Sequence, residues 1–334
     1  MNVHLVDGTY ELFRYHFALP SHLTEDGREV AAARGVAGTL LQLLEEGATH
    51  VGAAFDHVIE SFRNDLYDGY KDGSGVEPAL LSQFNLVEDL CTAIGVKVFS
   101  MVEYEADDAL GAASRVAAAD DRVEQVLICT PDKDLGQCVG GKVVQLDRRK
   151  GVVSGVDGVR EKFGVDPESI PDFLGLVGDT ADGFPGLPGW GAKSAGAVLA
   201  RYGHLEDIPP DSHDWDITVR GASKLALTLK HNFADAVLFR RIATIEYDAP
   251  TVADVDELGG GARARTWRRW WRRPTHRAWP AGPSASPSPA SAEVRRPRRR
   301  RRGRRRPGRP WPGWAPPGAA RWAAWGRRAA TAHP

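Results

Sequence analysis

The chain has 334 residues, 42% of them hydrophobic and 26% charged, with a formal net charge of −1. That length suffices for one large domain or two smaller ones with real cores. No apolar run approaches the roughly 18 residues of a membrane span, and "MNVHLVDGTY" lacks the basic start of a secretory signal. Cys91, Cys129 and Cys138 show no C-x-x-C pair and sit in apolar runs, so a reduced, cytoplasmic protein is expected. The near-neutral charge conceals an asymmetry: residues 261–334 hold 21 Arg and one acid, Glu293, against 22 basic and 43 acidic residues in 1–260.

In chain order, short β-branched runs occur at 2–6 (NVHLV), 50–55 (HVGAAF), 96–102 (VKVFSMV), 125–129 (QVLIC) and 142–146 (KVVQL). Helical patterns lie between them near 34–46, 78–93 and 106–118. Continuous apolar strands alternating with helices predict an α/β fold, a parallel sheet with helices on both faces. From about 157 the pattern is helical, through "GVREKFG", "IPDFLGLVG", "AKSAGAVLARYG" and "ASKLALTLKHNFADAVLFRRIA", and the next strand is expected at "ATIEYD". The expected organisation is an α/β core over 1–156, a helical region over 157–258, and a tail over 259–334. The tail is rich in Arg, Pro and Gly, carries eight of the ten Trp and has no apolar period. Such composition builds no core and predicts disorder. Its abrupt onset also matches the product of a shifted reading frame in GC-rich DNA.

Acids follow the strands. Asp7 follows the first, Asp56 the second, "EYEADD" (Glu105, Asp107, Asp108) the third and "TPDKD" (Asp132, Asp134) the fourth. In open parallel sheets, ligands bind beyond the carboxyl ends of the strands. Two like charges about 4 Å apart repel by roughly 4 kcal/mol at an effective dielectric near 20. A first helical turn favours an acid by only about 0.3–1 kcal/mol, which does not account for the coincidence. Carboxylates are hard ligands suited to Mg²⁺ or Mn²⁺, and paired ions hydrolyse phosphodiesters without a nucleophilic side chain. Asp179 and Asp182 in "GDTADGFPG" are ordinary turn residues or a further acid pair.

The segment "GLPGWGAKSA" (186–195) sets Gly189 and Gly191 before a helix bearing Lys193 and Ser194. Backbone N–H groups there suit a phosphate. Ala192 interrupts the Gly-Lys step of a nucleotide-binding loop and no strand precedes it, so no ATP site is expected. A helix-hairpin-helix grip on a DNA backbone fits better. Arg63, Tyr70 and Lys71 in "SFRNDLYDGYKDGSG" combine phosphate-binding and stacking side chains after the Asp56 strand. Arg14, Lys193, Lys224, Lys230, Arg240 and Arg241 extend a possible basic path across an otherwise acidic body.

Taken in order, "LVDG", "AFD", "SFR", "GYK", "YEADD", "TPDKDL", "GD-x-x-D-x-x-PG" and "GWGAKSA" resemble the 5′-nuclease domain of bacterial DNA polymerase I and stand-alone flap endonucleases, over about residues 1–250. The resemblance implies a PIN-like α/β nuclease core with a helical DNA-binding region, and a helical arch or flexible loop over 60–77. It implies two Mg²⁺ or Mn²⁺ ions. One would be held chiefly by Asp7, Asp56, Glu105 and Asp107 or Asp108, the other by Asp132, Asp134, Asp179 and Asp182. Lys71 and Arg63 would steady the scissile phosphate and Tyr70 would stack near the reacting nucleotide. The hairpin (Gly189, Gly191, Lys193, Ser194), with Arg14, would hold DNA, with K⁺ on the hairpin backbone. Gly183 stands where the family often has Asn. With no polymerase domain following, the stand-alone type is expected: a monomeric 5′–3′ exonuclease and flap endonuclease on DNA with a 5′ end or flap. An RNA–DNA hybrid substrate, a related ribonuclease and a non-catalytic DNA-junction-binding protein are the alternatives.

Overall fold

A computed structural model of the chain describes residues 1–259; the sequence tail lies outside the described residues apart from Gly259. The apolar runs form strands β1 (Asn2–Asp7), β2 (His50–Asp56), β3 (Lys97–Met101), β4 (Gln125–Cys129) and β5 (Val143–Asp147), joined by a short β6 (Val152–Ser154). They make one sheet in the order β3-β2-β1-β4-β5-β6, parallel throughout except for the antiparallel β5–β6 hairpin. β6 carries exposed Val152 and Val153 and lacks the apolar length that marked the other strands.

Successive side chains on a strand point to opposite faces, and both faces are covered. Val3 and Leu5 of β1 and Ala54 of β2 pack with α6 (Ala106–Ala119) on one face. Phe55 faces the other way, against α1 (Gly8–Ala18). There, a Cβ at Gly8 would lie 2.2 Å from the Phe55 ring, so only glycine lets this helix start so close to the sheet. α1 packs on α2 (Ala31–Glu45), which packs on α5 (Phe84–Ile94). The expected helix over 78–93 is broken. One turn, α4 (Pro78–Leu81), precedes α5, because the fully buried Gln83 side chain accepts from Ala33 N (3.0 Å) and donates to Ala79 O (3.1 Å). The 60–77 segment contains one helical turn, α3 (Arg63–Leu66), and a 3-10 turn at Gly73–Gly75.

After β6, α7 (Val156–Phe163), α8 (Ile170–Val177), α9 (Ala192–Tyr202), α10 (Ala222–His231) and α11 (Phe233–Ala243) enclose a second core around Ile170, Leu174, Phe184, Trp190, Leu199 and Phe239. Gly175 allows α8 to cross α11, since a Cβ there would meet Ala236 O at 2.8 Å. The strand expected at "ATIEYD" does not form. Its backbone donors are taken by side chains instead: Ile245 N donates to Gln137 Oε1 (3.0 Å) and Glu246 N to Asp108 Oδ1 (2.8 Å). Ile245, Val252, Val255 and Leu258 then return the chain to the α6 face of the sheet. Both cores belong to one compact unit. No helix among the described residues is long and apolar enough to cross a membrane.

Candidate metal centre

The strand order reverses between β1 and β4, and ligands of open parallel sheets bind at such a switch point beyond the carboxyl ends. Asp7 ends β1 there. Its Oδ1 accepts from Tyr10 N (2.8 Å), capping α1, and its Oδ2 accepts from the Thr130 hydroxyl beyond β4 (2.9 Å). Asp56 ends β2 and accepts from Ala106 N (2.7 Å) at the start of α6. Asp107 projects from the first turn of α6 and is half-buried, with no ion pair among the described residues. Asp132 is exposed, its Oδ1 accepting from Asp134 N (3.0 Å), while Asp134 is buried. The α8–α9 connection brings in the last two. Asp179 and Phe184 bridge backbone to backbone (2.8 and 3.0 Å), and Asp182 O accepts from Lys71 N (2.9 Å), docking this loop on the 69–71 segment. One carboxylate oxygen each from Asp134, Asp179 and Asp182 lies within 4.8 Å of the others.

The crowding leaves an electrostatic signature. Burial pushes Asp7 up to about 7; its two hydrogen bonds oppose this, and the charges of Asp132 and Asp56 add to it. Burial pushes Asp56 up to about 6, against the pull of Lys71 and with the push of Glu105. Asp107 is raised well above the usual carboxylate range by burial, then by Asp132 and Asp7. Asp134 is raised likewise by burial, then by Asp132, Asp182 and Asp179. Asp182 is raised too, chiefly by burial. These groups resist losing their protons together because each loss adds a like charge in a poorly solvated space. Asp134 Oδ1 is buried with no hydrogen-bond partner, a state that ordinarily costs about 1–3 kcal/mol. An all-oxygen donor set with an unsatisfied buried acceptor fits a hard divalent cation.

Two of the expected ligands are otherwise engaged. Asp108 does not join the open acids. It is fully buried, and its oxygens accept from Arg63 NH1 (2.7 Å), Arg63 NH2 (2.8 Å), Glu105 N (2.9 Å) and Glu246 N (2.8 Å). Glu105 is saturated as well, accepting from Ser61 Oγ (2.5 Å) and Tyr70 OH (3.0 Å) and pairing with Lys71 Nζ (3.2 Å). Burial alone would raise its pKa, but Lys71 and Arg63 outweigh burial and hold it below the usual range.

The basic and aromatic residues divide in the same way. Arg63 cannot reach a phosphate as placed: it is 3% exposed, and besides Asp108 it donates to Ile242 O (2.7 Å) and Thr244 O (3.0 Å). Its role here is to bind α6 to the end of α11. Tyr70 is buried, so its ring is not offered to a base. Lys71 does stand at the acids, its Nζ 2.8 Å from Asp182 Oδ1 and its side chain about a third exposed. Arg14 pairs with Glu11 and lies over the Tyr15 ring. Arg240 leaves the expected basic path, half-buried against Asp172 (2.8 Å) and Glu206 (2.6 Å).

α8, the 178–191 connection and α9 form the two-helix hairpin. Gly178 and Gly186, at φ +79° and +67°, let its strands touch; a Cβ on Gly178 would lie 2.4 Å from Pro185 C. Gly189, Gly191 and Lys193 are exposed at its tip, while the Ser194 hydroxyl accepts from Gly191 N (3.1 Å) and so serves the start of α9. Sequence reasoning overlooked Thr130, Ser61 and Lys133. Thr130 and Lys133 lie inside the quoted "TPDKD" run, where attention to acids obscured them. Lys133 Nζ pairs directly with Asp179 Oδ2.

Carboxylates gathered at the switch point of a parallel sheet, beside a two-helix hairpin, define a nuclease-type α/β core. The family comparisons carry this further. The 5′-3′ exonuclease N-terminal resolvase-like domain matches residues 2–164, and the 5′-3′ exonuclease C-terminal SAM fold matches residues 165–265. The chain belongs to the 5′-3′ exonuclease family. DNA polymerase I of Pseudomonas aeruginosa is 35% identical over 271 residues, covering 78% of this chain and 29% of that protein. DNA polymerase I of Bacillus caldotenax is 33% identical over 260 residues, covering 76% and 29%. The chain thus spans less than a third of the length of these curated relatives. Among solved structures, T5 5′-exonuclease with bound zinc superposes with a TM-score of 0.60 at 18% identity, over 77% of this chain and 96% of that one. The catalytic core of Rad2 with DNA substrate gives 0.53 at 15%, over 80% and 85%. These structural likenesses are of fold.

Proposed function

We propose that this chain hydrolyses DNA phosphodiesters at a 5′ end or 5′ flap with two divalent cations, Mg²⁺ or Mn²⁺. The observation that supports it most is the convergence of Asp7, Asp56, Asp107, Asp132, Asp134, Asp179 and Asp182 from distant chain segments, with a buried, unpartnered oxygen on Asp134. Asp7, Asp56 and Asp107 would hold one ion and Asp134, Asp179 and Asp182 the other, with Asp132 between the sets; Glu105 becomes a ligand only if Lys71 moves. Bound ions would supply Lewis-acid polarisation of the phosphate and a water of lowered pKa. The chain's own groups bind and orient. Lys71 sets a positive charge at the edge of the acids, where it meets a phosphate oxygen. Thr130 and Ala106 N fix the rotamers of Asp7 and Asp56. The exposed backbone of Gly189 and Gly191, with Lys193, takes the duplex backbone, and K⁺ there would serve the same contact. The division of labour is a nuclease core over 1–156 and a DNA-holding region over 157–258, acting as a monomer.

The test is an end-labelled 5′-flap DNA incubated with Mg²⁺, with EDTA, and with Asp107→Ala. Cleavage near the junction only in the first supports the reading. Equal cleavage in all three, or none on DNA with metal present, contradicts it; cleavage of an RNA flap alone would instead favour the ribonuclease.

A further inference from the structure

The two acid sets differ in their counter-ions. Among the described residues, Asp7, Asp56 and Asp107 make no direct ion pair with an ammonium. The Asp134–Asp179–Asp182 set is held by two lysines. Lys71 Nζ takes Asp182 Oδ1 (2.8 Å) from one side, and Lys133 Nζ takes Asp179 Oδ2 from the other. Asp179 is 6% exposed, whereas the Lys133 side chain is about a third exposed, with a route out to solvent. Its backbone sits between Asp132 and Asp134, on the turn that precedes the 3-10 helix Asp134–Cys138. The lysine can therefore swing away without moving the acids beside it.

Resting on the metal-centre reading above, we infer that Lys133 is a built-in counter-ion that occupies the Asp179 position of the second cation set and must be displaced when a divalent ion enters. An ammonium and a divalent cation drawn to the same carboxylate repel each other at close range, so an ion entering there drives the lysine out. Cation entry there is then an exchange of one positive charge for another. Two consequences follow. The second ion binds more weakly than its three carboxylates alone would allow. Its departure is also assisted, because the lysine stands ready to return to Asp179. The pair is partly solvated, so its disruption costs less than a buried pair would, and the lysine tunes affinity without abolishing it.

The experiment is calorimetric titration of Mn²⁺ into the metal-free chain and into Lys133→Met, with Lys133→Gln as a second variant and Lys97→Met as the charge control. Lys97 lies at the amino end of β3, on the opposite edge of the sheet, paired with Glu257. The expected result is two ions per wild-type chain, with the weaker one tightened about five- to tenfold by Lys133→Met and Lys133→Gln, and no change for Lys97→Met. Unchanged or weakened binding of the second ion in both folded Lys133 variants overturns the inference and leaves the metal centre standing. Equal tightening by Lys97→Met also overturns it, since net charge alone would then be responsible. Absence of any Mn²⁺ binding by the wild type overturns the metal centre itself, and the inference with it.

Discussion

Asp107 and Asp108 are neighbours on one helical turn, and their conversion to Asn should have opposite consequences. Asp108 is fully buried and compensates the buried Arg63 through two hydrogen bonds of 2.7 and 2.8 Å, while also accepting from Glu105 N and Glu246 N. All four contacts are donors. An Asn there keeps one acceptor, turns an NH₂ toward donors, and leaves the guanidinium without its charge partner. Breaking one side of a buried pair costs about 3–5 kcal/mol. At about 2–4 °C per kcal/mol for a folded body of this size, Asp108→Asn should melt roughly 6–20 °C below wild type. Asp107 has no ion pair among the described residues and is opposed by Asp132 and Asp7. Asp107→Asn removes a repulsive charge, so its metal-free melting temperature should match or exceed that of wild type, while cleavage falls at least 100-fold. Thermal melts in EDTA, with cleavage assays on the same samples, decide it. Wild-type stability for Asp108→Asn, or a larger loss for Asp107→Asn, would refute the assignment of one acid to structure and the other to the metal site.

Other outcomes follow from the same geometry. Because Asp7 and Asp56 have folded-state pKa values raised to about 7 and about 6, the stability they contribute is fully present below the ordinary carboxylate pKa and is lost as pH rises through those values. The chelated protein should therefore be less stable at pH 8 than at pH 5, by up to about 3 kcal/mol for Asp7 alone over the roughly two pH units between 5 and its raised pKa, and Mg²⁺ should restore the pH 8 stability; a melting temperature in EDTA that rises over this range would count against it. Gly183 has φ +87°, and a Cβ there would lie 2.2 Å from Gly69 O. Gly183→Ala should cost about 1–3 kcal/mol and, by pushing the loop off the Lys71 segment, lower kcat more than it raises KM in steady-state flap cleavage. Arg240→Met should lose about 3 kcal/mol by removing the guanidinium charge from the buried carboxylates of Asp172 and Glu206, yet leave Mn²⁺ affinity unchanged in calorimetry.

The sheet was legible because its strands are buried on both faces and read as unbroken apolar runs. What escaped was whatever lacked that contrast. β6 exposes both its valines, and α1 begins at Asp7, which was read as a strand-end ligand and serves also as the helix cap. The acids converged because each follows a parallel strand or lies in the hairpin loop, and strand direction is inferable from alternation with helices. Their individual roles were not legible. "EADD" offers three similar carboxylates, and only the approach of Arg63 and the Glu246 backbone, 45 and 138 residues away from Asp108, distinguishes it from Asp107. Arg63 and Lys71 likewise share one basic segment, and burial alone sends one into the core and leaves the other at the site. At "ATIEYD" the β-branched pattern suggested a strand, but Gln137 and Asp108 satisfy its backbone donors instead.

The most direct measurement is an anomalous difference map from crystals of the chain soaked in Mn²⁺. Two peaks are expected at the carboxyl edge of the sheet, one against Asp7, Asp56 and Asp107 and one against Asp134, Asp179 and Asp182, with Lys133 Nζ withdrawn from Asp179. A map without peaks at that edge, at Mn²⁺ concentrations that support cleavage in solution, would contradict the account.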